Sequence, residues 1–134
     1  MSILTPEFEF VDQASESVRY LEHGWPTDLC RWHSHEVYEL HLITSTHGKA
    51  FVGEHIGPFG PGALYLVGPN VPHNWVTDEV GAYEPVELRD MLVQFSQQSI
   101  DQVAKGFPEF RELDEVLQRS RGGIEFIDFD QTVA

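Results

Sequence analysis

Residues 32–39 read WHSHEVYE and residues 68–73 read GPNVPH, and these two stretches decide the fold that the sequence predicts. Side chains along an extended strand alternate between its two faces, so His33, His35 and Glu39 project to the same side of a strand through this region. Imidazole and carboxylate groups gathered on one face are a donor set for a divalent metal. We therefore predict that one strand supplies three ligands of a metal site.

A fourth ligand is predicted at His73, in the proline-rich corner that follows an apolar segment over 63–67. Three imidazoles and one carboxylate leave open positions on a metal ion, where water or an effector oxygen can bind. Zn²⁺, Ni²⁺, Fe²⁺, Mn²⁺ and Cu²⁺ all accept such ligands, so the sequence does not choose between these ions. The alternative is that the four residues form a hydrogen-bonded polar cluster without a metal.

The composition limits the kind of protein to which such a site belongs. With 134 residues, of which 41% are hydrophobic, the chain has the size of one domain. Eight basic and twenty-two acidic residues give a net charge of −14, which repels nucleic-acid phosphates. The single cysteine, Cys30, suits a reducing compartment, and no stretch is apolar enough for a membrane span. We expect a cytoplasmic protein whose segment here contacts neither nucleic acid nor a membrane.

The first two-thirds of the chain reads as short strands separated by turns, which favours an antiparallel β-structure. Extended segments are expected over 17–22, 32–44, 50–52, 55–59, 63–67, 73–77, 86–95 and, weakly, 124–129. Residues 46–49 are expected to form a hairpin turn in which Gly48 takes a positive φ. Beyond Phe95 the apolar spacing becomes helical, and two amphipathic helices are predicted, divided by Gly106 and Pro108.

Five short motifs in this β-rich pattern resemble those of cupins. They are WHSH at 32–35, YEL at 38–40, FVG at 51–53, FGPG at 59–62 and PNVPHNW at 69–75. Within that superfamily, the combination most resembles the N-terminal effector-binding domain of AraC-type transcription regulators. The chain departs from the general cupin pattern at its glycines, since Thr27 occupies the leading glycine position of the first motif.

The resemblance implies a mainly β fold, a cupin-type double-stranded β-helix (jelly-roll barrel) with two C-terminal α-helices. It implies one domain over 1–134, with the barrel at about 15–95 and the helical segment at about 97–121. The helix-turn-helix DNA-binding domain of such regulators is expected to be absent from this chain. The implied role is ligand sensing and dimerisation, with a small-molecule effector inside the barrel. The alternative is a stand-alone metal-dependent cupin enzyme of dioxygenase or isomerase type, although we favour a non-enzymatic role.

Further residues are candidates for the effector pocket and for a homodimer contact. The pocket candidates are Tyr38, His41, Trp32, Trp75 and Arg31. Buried aromatics and histidines are also common in protein cores. For His41 we favour a structural role over a role in the pocket. Arg31 and Arg19 are suited to an anionic effector, because a guanidinium pairs with carboxylates. The dimer candidates are Phe110, Leu113, Val116 and Leu117 on the helical stripe, which alternatively covers the outside of the barrel.

Overall fold

A computed structural model describes residues 5–11, 17–27, 31–78 and 84–127. In this part of the chain the elements are β1 (Glu7–Phe8), β2 (Val18–Trp25), β3 (His33–Ser34), β4 (Tyr38–Ile43), β5 (Gly48–Val52), β6 (His55–Phe59), β7 (Leu64–Val67), β8 (His73–Thr77), β9 (Val86–Phe95), α1 (Gln97–Gly106), α2 (Asp114–Arg119) and β10 (Ile124–Phe126). The prediction of a mainly β fold with two C-terminal helices is confirmed. Cys30, positions 15–16 at the start of the predicted barrel and the predicted strand positions 128–129 lie outside the described residues.

The strands form two open sheets whose inner faces pack against each other. Sheet I has the strand order β1-β3-β8-β5-β6, and sheet II has the order β10-β7-β4-β9-β2. All neighbouring strands are antiparallel except β1 and β3. Sheet I therefore ends at β1 and β6, and sheet II ends at β10 and β2. At the β1 end of sheet I, β1 and β3 are only two residues long.

The alternation of side chains in β4 separates two apolar clusters. Glu39, His41 and Ile43 face sheet I, whereas Tyr38 and Leu40 face away from it. The cluster between the sheets consists of Ile43, Ala50, Val52, Phe59, Tyr65, Val67, Val71 and Trp75. The second cluster lies on the outer face of sheet II and consists of Tyr38, Leu66 and Leu117 with Leu40, Phe95, Ile100, Ile124 and Phe126. The helical segment therefore covers the outer face of sheet II.

The strand predicted over 32–44 is interrupted between the predicted ligands His33 and Glu39. β3 ends at Ser34, the chain bends over 35–37, and β4 begins at Tyr38 in the other sheet. His33 and His35 thus approach the space between the sheets from the side of sheet I, and Glu39 approaches it from sheet II. The bend brings these residues together, whereas the sequence prediction relied on the alternation of a single strand.

The hairpin predicted over 46–49 is wrong, because β4 and β5 belong to different sheets. The chain crosses here from sheet II to sheet I. The positive φ, 71°, falls at Thr46, whose hydroxyl lies 2.9 Å from the hydroxyl of Thr77. A glycine is needed at position 48 for close packing, since a Cβ there would lie 1.9 Å from the Val76 carbonyl oxygen on β8.

The helical segment is less regular than its apolar spacing predicts. The side chain of Ser96 caps α1 by accepting a hydrogen bond from the N–H of Ser99 at 3.0 Å. Pro108–Leu113 is a 3₁₀ helix, so α2 begins only at Asp114. In the described part of the chain, none of the helices has the length and apolar character needed to cross a membrane.

We expect Gly48→Ala to destabilise the fold by about 1–3 kcal/mol, because the added methyl group overpacks the β5–β8 pair. Gly106→Ala is the matched control, since a Cβ at this helical position meets nothing within 4 Å. Alanine should leave the stability there unchanged or raise it by up to about 1 kcal/mol. Urea unfolding followed by circular dichroism measures both variants. Equal stability of the two variants would contradict the close approach of β5 and β8.

Candidate metal centre

Three imidazoles meet between the sheets at the pairing of β3 with β8. His33 and His73 lie directly opposite each other on these strands, and His35 lies in the bend that follows β3. Each ring offers one ligand atom, and these atoms all lie within 4.8 Å of one another. His35 and His73 are buried, whereas His33 is partly exposed. This spacing allows one metal ion to contact all three rings.

The same hydrogen bond orients each of the three rings. In each ring, Nδ1 lies within hydrogen-bonding distance of a main-chain carbonyl oxygen two residues away, at 2.7 Å for His33 and Arg31, 3.0 Å for His35 and Val37, and 2.8 Å for His73 and Val71. A carbonyl oxygen can only accept, so Nδ1 donates the hydrogen bond and the neutral ring keeps a lone pair on Nε2. Metal-ligating histidines are oriented by hydrogen bonds of this kind.

The Glu39 carboxylate reaches the cluster from sheet II. Its Oε1 lies 3.0 Å from Nε2 of His35, and its Oε2 lies 3.6 Å from Nε2 of His73. A neutral Nε2 and a carboxylate both present lone pairs, so a proton or a cation has to lie between them. Without a metal, His35 supplies this proton, because the hydrogen bond to Glu39 and the charge of that carboxylate raise the pKa of His35 against the effect of burial.

His73 presents the opposite situation. Burial lowers the pKa of His73 to about 4, even though the charge of Glu39 acts in the other direction. The ring is therefore neutral at pH 7. Among the described residues, its buried Nε2 has no hydrogen-bond partner. A buried polar atom without a partner costs free energy, and a metal ion held by the neighbouring ligands would satisfy it.

Two side chains of sheet II hold the Glu39 carboxylate in position. Nε2 of Gln94 donates to Oε1 at 3.0 Å, and Nδ1 of His41 donates to Oε2 at 2.8 Å. Burial alone would raise the pKa of Glu39, but His73 and the hydrogen bonds from His35 and His41 hold it well below its usual range. Glu39 is therefore an anion at neutral pH, as a metal ligand must be.

His41 connects Glu39 to a second buried carboxylate, that of Asp90 on β9. Its Nε2 donates to Oδ2 of Asp90 at 3.0 Å, so both ring nitrogens face carboxylates. Burial opposes protonation, but the hydrogen bonds to Asp90 and Glu39 raise the pKa of His41. The ring stacks on Trp75 with centroids 3.7 Å apart, which suits a cationic imidazole. Arg89 donates twice to the same oxygen of Asp90, at 3.1 and 2.8 Å.

A cavity of about 130 Å³ lies beside the cluster. One wall consists of metal-site residues and their partners, including His33, Glu39 and His41, and another consists of the inward-facing residues of β2. Of the five predicted pocket residues, His41 and Trp75 line this cavity. The contacts of His41 match its interpretation as a hydrogen-bonded structural histidine.

The structure places the other three pocket candidates outside this cavity. Tyr38 lies on the opposite face of β4, where it stacks on Phe95 with centroids 5.2 Å apart. Arg31 forms ion pairs with Glu7 and Glu9 at 2.8 and 3.0 Å. Trp32 is half-buried just before β3. None of these three side chains lines this cavity, so their assignment to an effector pocket stays a prediction.

The sequence prediction also missed residues that the structure brings to the site. Arg89, Asp90 and Gln94 lie on β9, which was interpreted only as a strand. All three are buried. Charged residues are almost never fully buried unless they are paired. The adjacent Arg89 and Asp90, directly before the apolar run 91–93, were therefore the available signal.

No protein-family model matches this chain, and no curated protein matches it. The geometry of the site and the motifs of the sequence therefore carry the arguments for function.

The predicted dimer residues divide into two groups. Phe110, Leu113 and Val116 are exposed, by 38, 40 and 36%. Leu117 is buried against Tyr38 and Leu66 of its own chain. Leu117 is therefore reassigned from a subunit contact to the core of the monomer.

We expect the histidines of the metal-free protein to titrate in a fixed order. The ring of His73 should stay neutral until the pH approaches about 4, whereas His35 and His41 should protonate above their ordinary value of 6.5. Because the folded-state pKa of His73 is lowered, its contribution to stability is present above pH 6.5 and is lost as the pH falls towards 4. The contributions of His35 and His41 are present below pH 6.5 and are lost as the pH rises through their raised values.

Imidazole ¹H–¹⁵N spectra recorded against pH measure this order. The His73→Gln variant assigns the signal of His73, because that signal alone should disappear. Titration of His73 at or above pH 6.5 would contradict the buried, unpaired state of its Nε2.

Proposed function

We propose that this chain binds a divalent transition metal through His33, His35, His73 and Glu39, and that the adjacent cavity holds a small-molecule effector. The single observation that carries the proposal is the common orientation of the three histidines. Their Nδ1 atoms are all occupied by main-chain carbonyls, which leaves three Nε2 atoms directed at one place. Zn²⁺, Ni²⁺, Fe²⁺, Mn²⁺ and Cu²⁺ fit this donor set, and when bound such an ion supplies a Lewis acid for an oxygen ligand.

We also propose that the two facing sheets form a jelly-roll barrel of cupin type. The crossing of the chain between β4 and β5 supports this architecture, because it links strands of opposite sheets. The pairing of β3 with β8 supports it too, since it sets the WHSH segment beside the proline-rich corner of His73. With the sequence motifs, these features favour the sensory domain of an AraC-type regulator.

The ion pairs around the cavity favour effector binding over catalysis. Glu9 pairs with Arg31 at 3.0 Å, His23 lies 3.4 Å from Asp90, and His41 is bonded at both nitrogens. A general acid or base has to exchange a proton with its substrate, whereas these groups are engaged with one another. In a sensor, the effector changes the protein only through its different affinities for two states.

Zinc binding to protein purified without a histidine tag is expected to be stoichiometric. His73→Gln should weaken the affinity by roughly 100-fold or more, because loss of an outer partner of a ligand alone costs about 10- to 100-fold. His55→Gln is the matched control, since His55 is exposed and lies outside the cluster. Calorimetry and metal analysis by mass spectrometry measure both variants.

Zinc affinity should also fall as the pH is lowered from 7 to 5, because the metal displaces the proton of His35. Substoichiometric metal in the wild-type protein would contradict the proposal. Equal affinities of His73→Gln and His55→Gln would contradict it as well.

We propose, in addition, that the helical segment forms a homodimer contact. Five apolar side chains between residues 103 and 116 are exposed by 36–59%: Val103, Phe107, Phe110, Leu113 and Val116. A contiguous exposed apolar surface marks an interaction site. Charged residues of both signs lie in the same segment: Glu109, Arg111, Glu112, Asp114, Glu115 and Arg119. Such a mixed surface suits a two-fold contact between copies, which is the partner that the AraC resemblance implies.

Leu113→Asp should convert the dimer to a monomer of about 15.3 kDa, because two-fold symmetry places two buried carboxylates in the contact. Ile56→Asp is the control, since Ile56 is exposed by 63% on β6, away from the helices. Light scattering after size-exclusion chromatography gives the masses. A monomeric wild-type protein, or a dimeric Leu113→Asp variant, would overturn this contact.

A further inference from the structure

Arg19 lies in one cross-strand row with the metal-site carboxylate. On β2 it lies opposite Gln94 of β9, and Gln94 lies opposite Glu39 of β4. Directly opposite residues on neighbouring strands project to the same face of a sheet. Two strand spacings of about 4.8 Å place the Cα of Arg19 on the order of 10 Å from that of Glu39. The long side chain of Arg19 thus forms part of the cavity wall beside the cluster.

Arg19 is partly buried, and among the described residues its guanidinium makes no ion pair or hydrogen bond. The other Asp, Glu and Arg side chains of the cavity wall are paired, Glu9 with Arg31, Asp90 with Arg89, and Glu39 with His41. Within the described wall, the guanidinium of Arg19 is therefore the charged group that remains available to pair with a ligand.

With a divalent ion bound at the cluster, the charge inside the cavity would be opposite to that of the whole chain. The protein has a net charge of −14. Among the described wall residues, Glu9 is balanced by Arg31, which lies outside the wall. The Asp, Glu and Arg charges that remain are those of Glu39 and Asp90 against Arg19 and Arg89. These fixed charges cancel. A divalent ion at the cluster then makes the cavity positive, and such a cavity attracts a small anion.

Gln94 adds a second requirement for the ligand. Its Nε2 donates to Glu39, which can only accept, so the orientation of the amide is determined. The other amide atom, Oε1, is buried and has no partner among the described residues. A ligand that meets Oε1 has to donate a hydrogen bond. In a ligand that carries a carboxylate, a neighbouring hydroxyl group supplies this donor.

The volume of the cavity limits the size of the ligand. A volume of about 130 Å³ corresponds to roughly four water molecules at about 30 Å³ each. This space suits a molecule of a few non-hydrogen atoms.

We infer that this cavity binds a small hydroxycarboxylate, whose carboxylate pairs with Arg19 and whose hydroxyl donates to Oε1 of Gln94. The inference rests on the metal-binding function proposed above and names the class of effector for that site.

Glycolate is the probe that tests this inference, with calorimetric titration into zinc-loaded protein as the measurement. Arg19→Gln should weaken glycolate binding by roughly ten-fold or more, because a hydrogen bond to a charged group is lost. Arg119→Gln is the control, since Arg119 is exposed on α2 and should leave binding unchanged. Acetate lacks the hydroxyl and glycolamide lacks the charge, so both should bind at least several-fold more weakly than glycolate.

The zinc titration is carried out first on the wild-type and Arg19→Gln proteins, which should bind zinc equally. Absence of zinc binding would overturn the metal proposal and this inference together. Normal zinc binding without glycolate binding would overturn the inference alone, and so would equal glycolate affinities of the wild-type and Arg19→Gln proteins. Equal binding of acetate and glycolate would overturn the role of Gln94. Selective loss of glycolate affinity in Arg19→Gln, with an unchanged melting temperature, supports the inference.

Discussion

The buried Glu39 carboxylate is the group on which the interior of this protein depends. An uncompensated charge between two sheets costs several kcal/mol, so its neighbours have to supply hydrogen bonds and positive charge. Sheet II supplies His41 and Gln94, and the segment around β3 supplies His35. The carboxylate therefore connects the two sheets. For this reason the packing of the sheets and the geometry of the histidine cluster are not independent of each other.

A second polar link between the sheets lies at the other end of the same network. Arg89 on β9 binds Asp90, and its Nη1 donates to the carbonyl oxygen of Trp75 on β8 at 2.8 Å. The charges alternate from Arg89 through Asp90 and His41 to Glu39, so each buried group is compensated by the next. Well-packed apolar residues often give equal or greater stability in place of buried ion pairs. The polar interior is therefore better explained by the site that it orients than by stability.

The four ligand candidates could be predicted from the sequence because histidine and glutamate are recognisable without knowledge of their environment. The way in which the chain brings them together could not be derived correctly. The bend at 35–37 places His35 and Glu39 on opposite sides of the interior. The alternation of β4 was predictable, and it accounts both for His41 inside and for Tyr38 outside.

Local sequence patterns did not predict which residues of β9 meet the ligand candidates. Gln94 is separated from Glu39 by 55 positions, and only the register of β4 with β9 brings them together. Leu117 shows the same limit for the helices. The apolar spacing predicts the stripe, but the 3₁₀ helix over Pro108–Leu113 interrupts its regular helical spacing between α1 and α2, and Leu117 is buried against sheet II. Long-range strand register and helix rotation thus account for most of what the sequence did not predict.

The position of β2 gives the cavity a physical connection to the helices. Arg19 lies on this edge strand, two residues after Ser17, whose carbonyl oxygen accepts a hydrogen bond from Ser99 of α1 at 3.3 Å. The pairing partner of β2 is β9, which leads through the Ser96 cap directly into α1. A ligand held by Arg19 would tie this edge strand to the interior of the site. Because β9 leads into α1 and the residue before β2 bonds to it, the proposed effector cavity and the proposed dimer surface are connected through the start of α1. Coupling between two sites requires such a shared element of structure.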